Sequence, residues 1–210
     1  MESLGRDLSD PAFTLAPGGL YKHPVASFIL NDSGNIQVDR KTKNNQALFS
    51  GTFEALREGE CIALFPEGGS FTEPHLHAMK AGAAWAALEY AKNLQLTKER
   101  DPQYTNITIV PAGINYTDKS RYRSSASLEW GPCFSVDEFT SEFLQAESSN
   151  EEAAKNAVRK LTARIGDELR KLSINAPDWI TWHAMKVGRD LIWQEDGELP
   201  VPRLRMISNE

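Results

Sequence analysis

A continuous apolar run, Cys61-Ile62-Ala63-Leu64-Phe65, stops abruptly at Pro66-Glu67-Gly68-Gly69-Ser70. The run lacks the alternation of a half-solvated strand, so it reads as a buried strand of a parallel sheet. Its neighbours read as helices. Phe49, Phe53 and Leu56 fall at i, i+4 and i+7, with Gly59 where a helix C-terminus favours glycine. Lys80 to Lys92 is rich in alanine and carries Trp85, Leu88 and Tyr90, a good helix former. Ile107 to Val110 reads as the next buried strand, stopped by Pro111, and Ser125 to Trp130 as another, closed by Gly131-Pro132. Glu151 to Leu172 is the longest helix, with Ala154, Ala157, Val158, Leu161, Ile165, Leu169 and Leu172 on one stripe. This alternation predicts a single α/β domain with a mainly parallel sheet flanked by helices.

The ends are less regular. Residues 1–20, punctuated by Gly5, Pro11, Pro17, Gly18 and Gly19, read as an irregular lead-in. The predicted domain then runs over 21–175, with an apolar run at Val25–Leu30 and a brief strand, Ile36-Gln37-Val38, ending at Asp39-Arg40. Residues 176–210 form an aromatic-rich amphipathic tail with Trp179, Trp182, Met185, Ile192 and Trp193 around Lys186 and Arg189. Such a stretch more often packs on its own domain than lies at a membrane surface.

Composition removes several classes of function. A net charge of −6 argues against a nucleic-acid binder, which needs a basic face, but leaves local basic pockets open. The N-terminus shows no apolar core of a signal peptide, and no window approaches the roughly 18–20 apolar residues that cross a bilayer. Membrane contact is therefore expected to be peripheral. Cys61 and Cys133 read as buried free thiols rather than as a disulfide or metal pair. His75 and His77 lie two apart without further ligands at metal-site spacing, so no metal is expected. The Asn-X-Ser/Thr triplets at Asn31, Asn106 and Asn115 read as chance occurrences.

The Phe65-to-Ser70 block has a physical logic of its own. A strand presents Pro66 and Glu67 at its C-terminal edge, where open α/β sheets place ligands. Gly68 and Gly69 remove side chains and let the backbone approach an anionic or hydroxylated ligand, and Glu67 accepts hydrogen bonds from hydroxyls. A plain strand-to-loop turn with a solvated glutamate is the competing reading. Arg40, ending the preceding strand, has the fork that recognises phosphate, or is an exposed strand-end arginine. Lys119, Arg121 and Arg123 form a third basic group, placed to meet phosphates of a substrate or nucleotide tail or to line a solvated loop.

Together these blocks resemble the glycerol-3-phosphate/1-acylglycerol-phosphate acyltransferase superfamily, most of all its fungal glycerol-3-phosphate and dihydroxyacetone-phosphate members. Gly34-Asn35-Ile36-Gln37-Val38-Asp39-Arg40 is similar to the family's second motif, whose arginine binds the substrate phosphate. Phe65-Pro66-Glu67-Gly68-Gly69-Ser70 resembles the third, which more commonly reads FPEGT-S. Ile109-Val110-Pro111-Ala112-Gly113-Ile114-Asn115-Tyr116 resembles the fourth, associated with the acyl-CoA side. The likeness covers about residues 20 to 195.

The resemblance implies transfer of an acyl group from acyl-CoA, a co-substrate, to glycerol 3-phosphate, dihydroxyacetone phosphate or lysophosphatidate, without metal or organic cofactor. It assigns Arg40 to the phosphate, Glu67, Gly68, Gly69 and Ser70 to the acceptor, and Val110 and Pro111 to support of the acyl side. It also implies membrane association at the endoplasmic reticulum. One element departs. The family's first motif, His-x4-Asp, supplies the general base and its orienting carboxylate. Here the residues five places after His23, His75, His77 and His183 are Phe28, Lys80, Gly82 and Gly188. The expectation is a chain that begins after the catalytic pair, with no catalytic residue of its own. A catalytically inactive fragment that binds only substrate or a membrane surface is the alternative.

Overall fold

The segment read as an irregular lead-in contains the centre of a sheet. β1 (Phe13–Pro17) pairs in parallel with β2 (Asn35–Val38) on one side and β3 (Ile62–Ala63) on the other. The computed structural model describes residues 13–17, 21–33, 35–38, 49–96, 107–116, 120, 122–147 and 151–192. Two compact units make up the chain: Met1–Pro66 with Gly82–Ile107, and Glu67–Ala81 with Thr108–Glu210.

In the first unit, the apolar run after His23 is helix α1 (Pro24–Asp32), so β1, α1 and β2 form a β-α-β unit. Pro24 suits a first helical position, where its missing N–H costs nothing. α2 (Ser50–Arg57) buries Phe53 and Ala55, and a left-handed Gly59 (φ 81°) ends it. Gly59 N–H donates to Leu56 C=O at 3.1 Å and Glu60 N–H to Ala55 C=O at 2.9 Å, the paired bonds that satisfy a helix's last carbonyls. α3 (Gly82–Leu96) packs Ala86 and Tyr90 against Phe49 and Phe53, with Leu56, Trp85, Leu94 and Ile107 around them. The Phe53 and Tyr90 rings lie 5.6 Å apart.

In the second unit, β4 (Thr108–Ile109) pairs antiparallel with β7 (Phe134–Ser135), and β5 (Ala112–Tyr116) antiparallel with β6 (Ala126–Trp130). Two helices carry the core. α4 (Asp137–Glu147), acidic in its first turn as the helix dipole favours, buries Phe143. α5 (Glu151–Leu172) buries Ala154, Ala157, Val158, Leu161, Ile165 and Leu172, so its sequence stripe is borne out, with Leu169 half-buried. Glu142 joins the two helices, accepting from Lys160 Nζ at 2.8 Å and from Asn156 Nδ2 at 3.0 Å. α6 (Trp179–Ile192) starts at Asp178, whose carboxylate accepts the Thr181 N–H at 2.7 Å. No helix among the described residues is long and apolar enough to cross a membrane.

Several expectations are corrected. The described strands form three small sheets, one parallel and two antiparallel, rather than one mainly parallel sheet. Cys61 and Cys133 are free but exposed. The run Cys61–Phe65 is a strand only at Ile62–Ala63, half-buried, and Phe65 is 71% exposed. The run at Ile107–Val110 likewise has Thr108 and Val110 exposed. The sequence signal was length and apolarity alone, which do not report how many faces a strand covers.

Candidate functional site

The site grows from the end of β3. Pro66 and Glu67 form the turn, and proline's fixed φ suits it. Gly68 follows at φ 67°, in the left-handed region that L side chains rarely adopt. Its backbone is also covered. A Cβ there would lie 2.6 Å from Lys80 Cδ and 2.7 Å from Lys80 Nζ. The left-handed conformation therefore favours glycine at this position, whereas the covering atoms are the far end of a flexible, exposed lysine that can move aside.

Lys80 closes a loop onto the turn. Its Nζ donates to the Gly68 carbonyl at 3.2 Å. Between them, the Phe71 and His77 rings stack at 4.0 Å with an interplanar angle of 19°, so His77 packs against an aromatic face. The loop is anchored on the second unit's own segments. Leu76 N–H donates to Asn175 Oδ1 at 2.8 Å, Ala176 N–H to Pro74 C=O at 2.9 Å, and Met79 lies against Gly166 of α5. Pro74 is buried in the process. Among the described residues, Glu67 is half-buried and its carboxylate is engaged by no hydrogen bond or ion pair. Gly69 and Ser70 are exposed. The turn thus presents an open acceptor at Glu67 and a cation at Lys80, the second missed in the sequence because Lys80 read as the start of a helix.

Arg40, Lys119 and Arg121 lie outside the described residues. Arg123 has φ 62° and rests over the neighbouring Tyr122 ring, 5.7 Å from its centroid. Val110 is 50% exposed, whereas Pro111 is buried and its carbonyl accepts the Gly131 N–H at 2.8 Å. Beyond them, β5 serves the end of α5. Asn115 Nδ2 donates to Leu172 C=O at 2.9 Å, and a Cβ on Gly113 would lie 2.5 Å from that oxygen. Gly113 and Asn115 therefore have a packing role against the end of α5.

Comparison with known proteins fixes the family. The model of the family described as Acyltransferase matches residues 4–115, more than half of the chain. The chain belongs to the acyltransferase family. Its relatives place it in the glycerol-3-phosphate acyltransferase superfamily, as its motifs suggested. It is 30% identical over 176 residues to glycerol-3-phosphate O-acyltransferase 2 of Saccharomyces cerevisiae, covering 84% of this chain and 22% of that protein. It is 30% identical over 160 residues to glycerol-3-phosphate O-acyltransferase 1 of the same yeast, covering 76% of this chain and 20% of that protein. An uncharacterized acyltransferase of Schizosaccharomyces pombe is 32% identical over 149 residues, 71% of this chain and 20% of the relative. This acyltransferase-family chain thus spans about a fifth of the length of the curated relatives it matches.

Proposed function

We propose that this chain serves glycerolipid synthesis as the acceptor-holding part of an O-acyltransferase. Acyl-CoA is the donor and glycerol 3-phosphate the acceptor, with dihydroxyacetone phosphate and lysophosphatidate as close alternatives. The observation that carries the reading is the turn at Glu67-Gly68, with its open carboxylate and a glycine favoured by its left-handed φ, in a chain of this family. In the reaction, the acceptor hydroxyl oxygen attacks the thioester carbon. The C–S bond breaks, and the hydroxyl proton ends on the departing thiol.

Glu67 would accept from the acceptor's hydroxyls, Arg40 would hold its phosphate, and Val110-Pro111 would support the acyl side. None of the histidines precedes an aspartate by five, so no residue here is assigned as the base. Loss of a general base costs on the order of 10²–10⁴ in rate. That spacing favours a second reading, in which the chain binds acceptor without turning it over.

Contact with a membrane surface, at the endoplasmic reticulum as the resemblance implies, is supported by α6. Ile180 (82% exposed), Ala184, Val187 (57%) and Leu191 (65%) line one stripe at i, i+4, i+7 and i+11.

An acyl-transfer assay with acyl-CoA and glycerol 3-phosphate tests the proposal. Turnover that disappears in Arg40→Ala and Glu67→Ala supports catalysis. Absent turnover with acceptor binding that both variants weaken supports the second reading. Neither turnover nor binding sinks both.

A further inference from the structure

We infer that Lys80 is an acceptor-binding cation, taking the anionic group of the phosphorylated acceptor beside Glu67. The inference deepens the proposed function and rests on its placement of the acceptor at this turn. Three observations carry it.

The ammonium is held where a ligand at the turn would meet it. Nζ is 3.2 Å from the Gly68 carbonyl oxygen, and the side chain from Cδ outward lies against the Gly68 backbone. Glycine there admits the lysine as much as it admits a ligand.

The charge is also uncommitted. An ammonium has three donors, and the Gly68 carbonyl takes one. Among the described residues no carboxylate forms an ion pair with Lys80, and the side chain is exposed. The other cations near this loop differ. Arg170 and Lys171, which border the open groove beside His75 and Leu76, are paired to Asp167 at 2.6 Å and to Glu168 at 2.9 Å. Their charge is already answered.

Finally, the loop that delivers Lys80 is fixed. The Phe71–His77 stack and the bonds from Leu76 and Ala176 hold it, so little ordering of the loop remains for the ligand to supply beyond that of the lysine side chain itself. A pre-placed ammonium with two free donors, next to a carboxylate that accepts from hydroxyls, matches a molecule carrying phosphate at one end and hydroxyls at the other.

The test is equilibrium binding of glycerol 3-phosphate, and of glycerol as the uncharged control, to the full chain and to Lys80→Met and Lys80→Arg. Methionine keeps an unbranched stem over Gly68 and removes the charge. Loss of one charge-assisted contact is expected to raise Kd for glycerol 3-phosphate roughly 10- to 100-fold. Binding of glycerol should stay unchanged, and Lys80→Arg should recover part of the affinity. The dependence of Kd on salt should be shallower in Lys80→Met than in the parent. Unchanged melting temperatures would separate this from loss of fold. If the parent binds glycerol 3-phosphate and Lys80→Met binds it equally well, the inference is overturned while the acceptor-site reading stands. If the parent itself binds no phosphorylated acceptor, that reading fails and the inference with it.

Discussion

The side-chain amide of Asn115 on β5 closes the C-terminus of α5, donating to the Leu172 carbonyl at 2.9 Å and accepting the Ile174 N–H at 3.4 Å. Helix ends leave carbonyls without intrahelical partners, and here Asn115 is joined by Ser173 Oγ on Leu169 C=O and Asn175 Nδ2 on Arg170 C=O. Asn115→Leu strands a buried carbonyl and adds bulk. It is expected to destabilise the second unit by about 1–3 kcal/mol. Chemical denaturation followed by far-UV circular dichroism reads this directly, and an unchanged midpoint would show that water replaces the cap.

At the turn, the two glycines predict different outcomes. Gly68→Ala meets both an unfavourable φ, worth about 1–2 kcal/mol, and the Lys80 side chain. Gly69→Ala brings a Cβ to 3.2 Å from the Phe71 ring, which a small ring shift relieves. Binding of glycerol 3-phosphate should therefore fall steeply in the first and little in the second. Equal losses would mean that the backbone of both positions, rather than the shape of Gly68, makes the site.

Stability should fall in acid through three carboxyls held below their ordinary ranges. The hydrogen bond from Lys160 lowers Glu142, that from Lys171 lowers Glu168, and the Thr181 backbone N–H lowers Asp178. A folded-state pKa below the unfolded value means the contribution is complete above the ordinary value, 4.5 for the glutamates and 3.8 for Asp178. It is lost as pH falls through the folded-state values. Melting temperature is expected to be flat from about pH 7 to 5 and to drop below about pH 4.5. Glu142→Gln should flatten part of that drop; an identical pH profile would show that the Lys160 pair contributes nothing.

Helices were legible where the apolar period was long. α5 repeats its stripe over six turns and is buried along it, and Gly59 marked the end of α2 because only a left-handed residue completes that cap. Strands were less legible, because their partners are distant in sequence. β1 sits between prolines and glycines, yet it is held by Asn35–Val38 and Ile62–Ala63. β5 was hidden behind Pro111, which ends β4 but leaves Ala112 free to start a new pairing with Trp130. The stripe of α4, Phe139 and Phe143, is too short to count as a period. At the candidate site, the turn and its left-handed Gly68 were legible from local chemistry. The contact of Lys80 with that turn was not, since twelve residues separate it from the carbonyl it meets.

The proposed membrane contact makes the exposed stripe of α6 the face to test. Ile180, Val187 and Leu191 face away from the half-buried Trp182 and Met185, while Lys186 lies over the Trp182 ring at 5.6 Å. Under that proposal a net charge of −6 disfavours attraction to anionic headgroups and leaves apolar burial as the driving force. The chain should therefore co-sediment with phosphatidylcholine vesicles at low and high salt alike. Ile180→Glu with Val187→Glu should abolish this without lowering the melting temperature, because both side chains are exposed in the fold. Binding that survives the double variant would move the contact to another face, and binding that vanishes in salt would make it electrostatic.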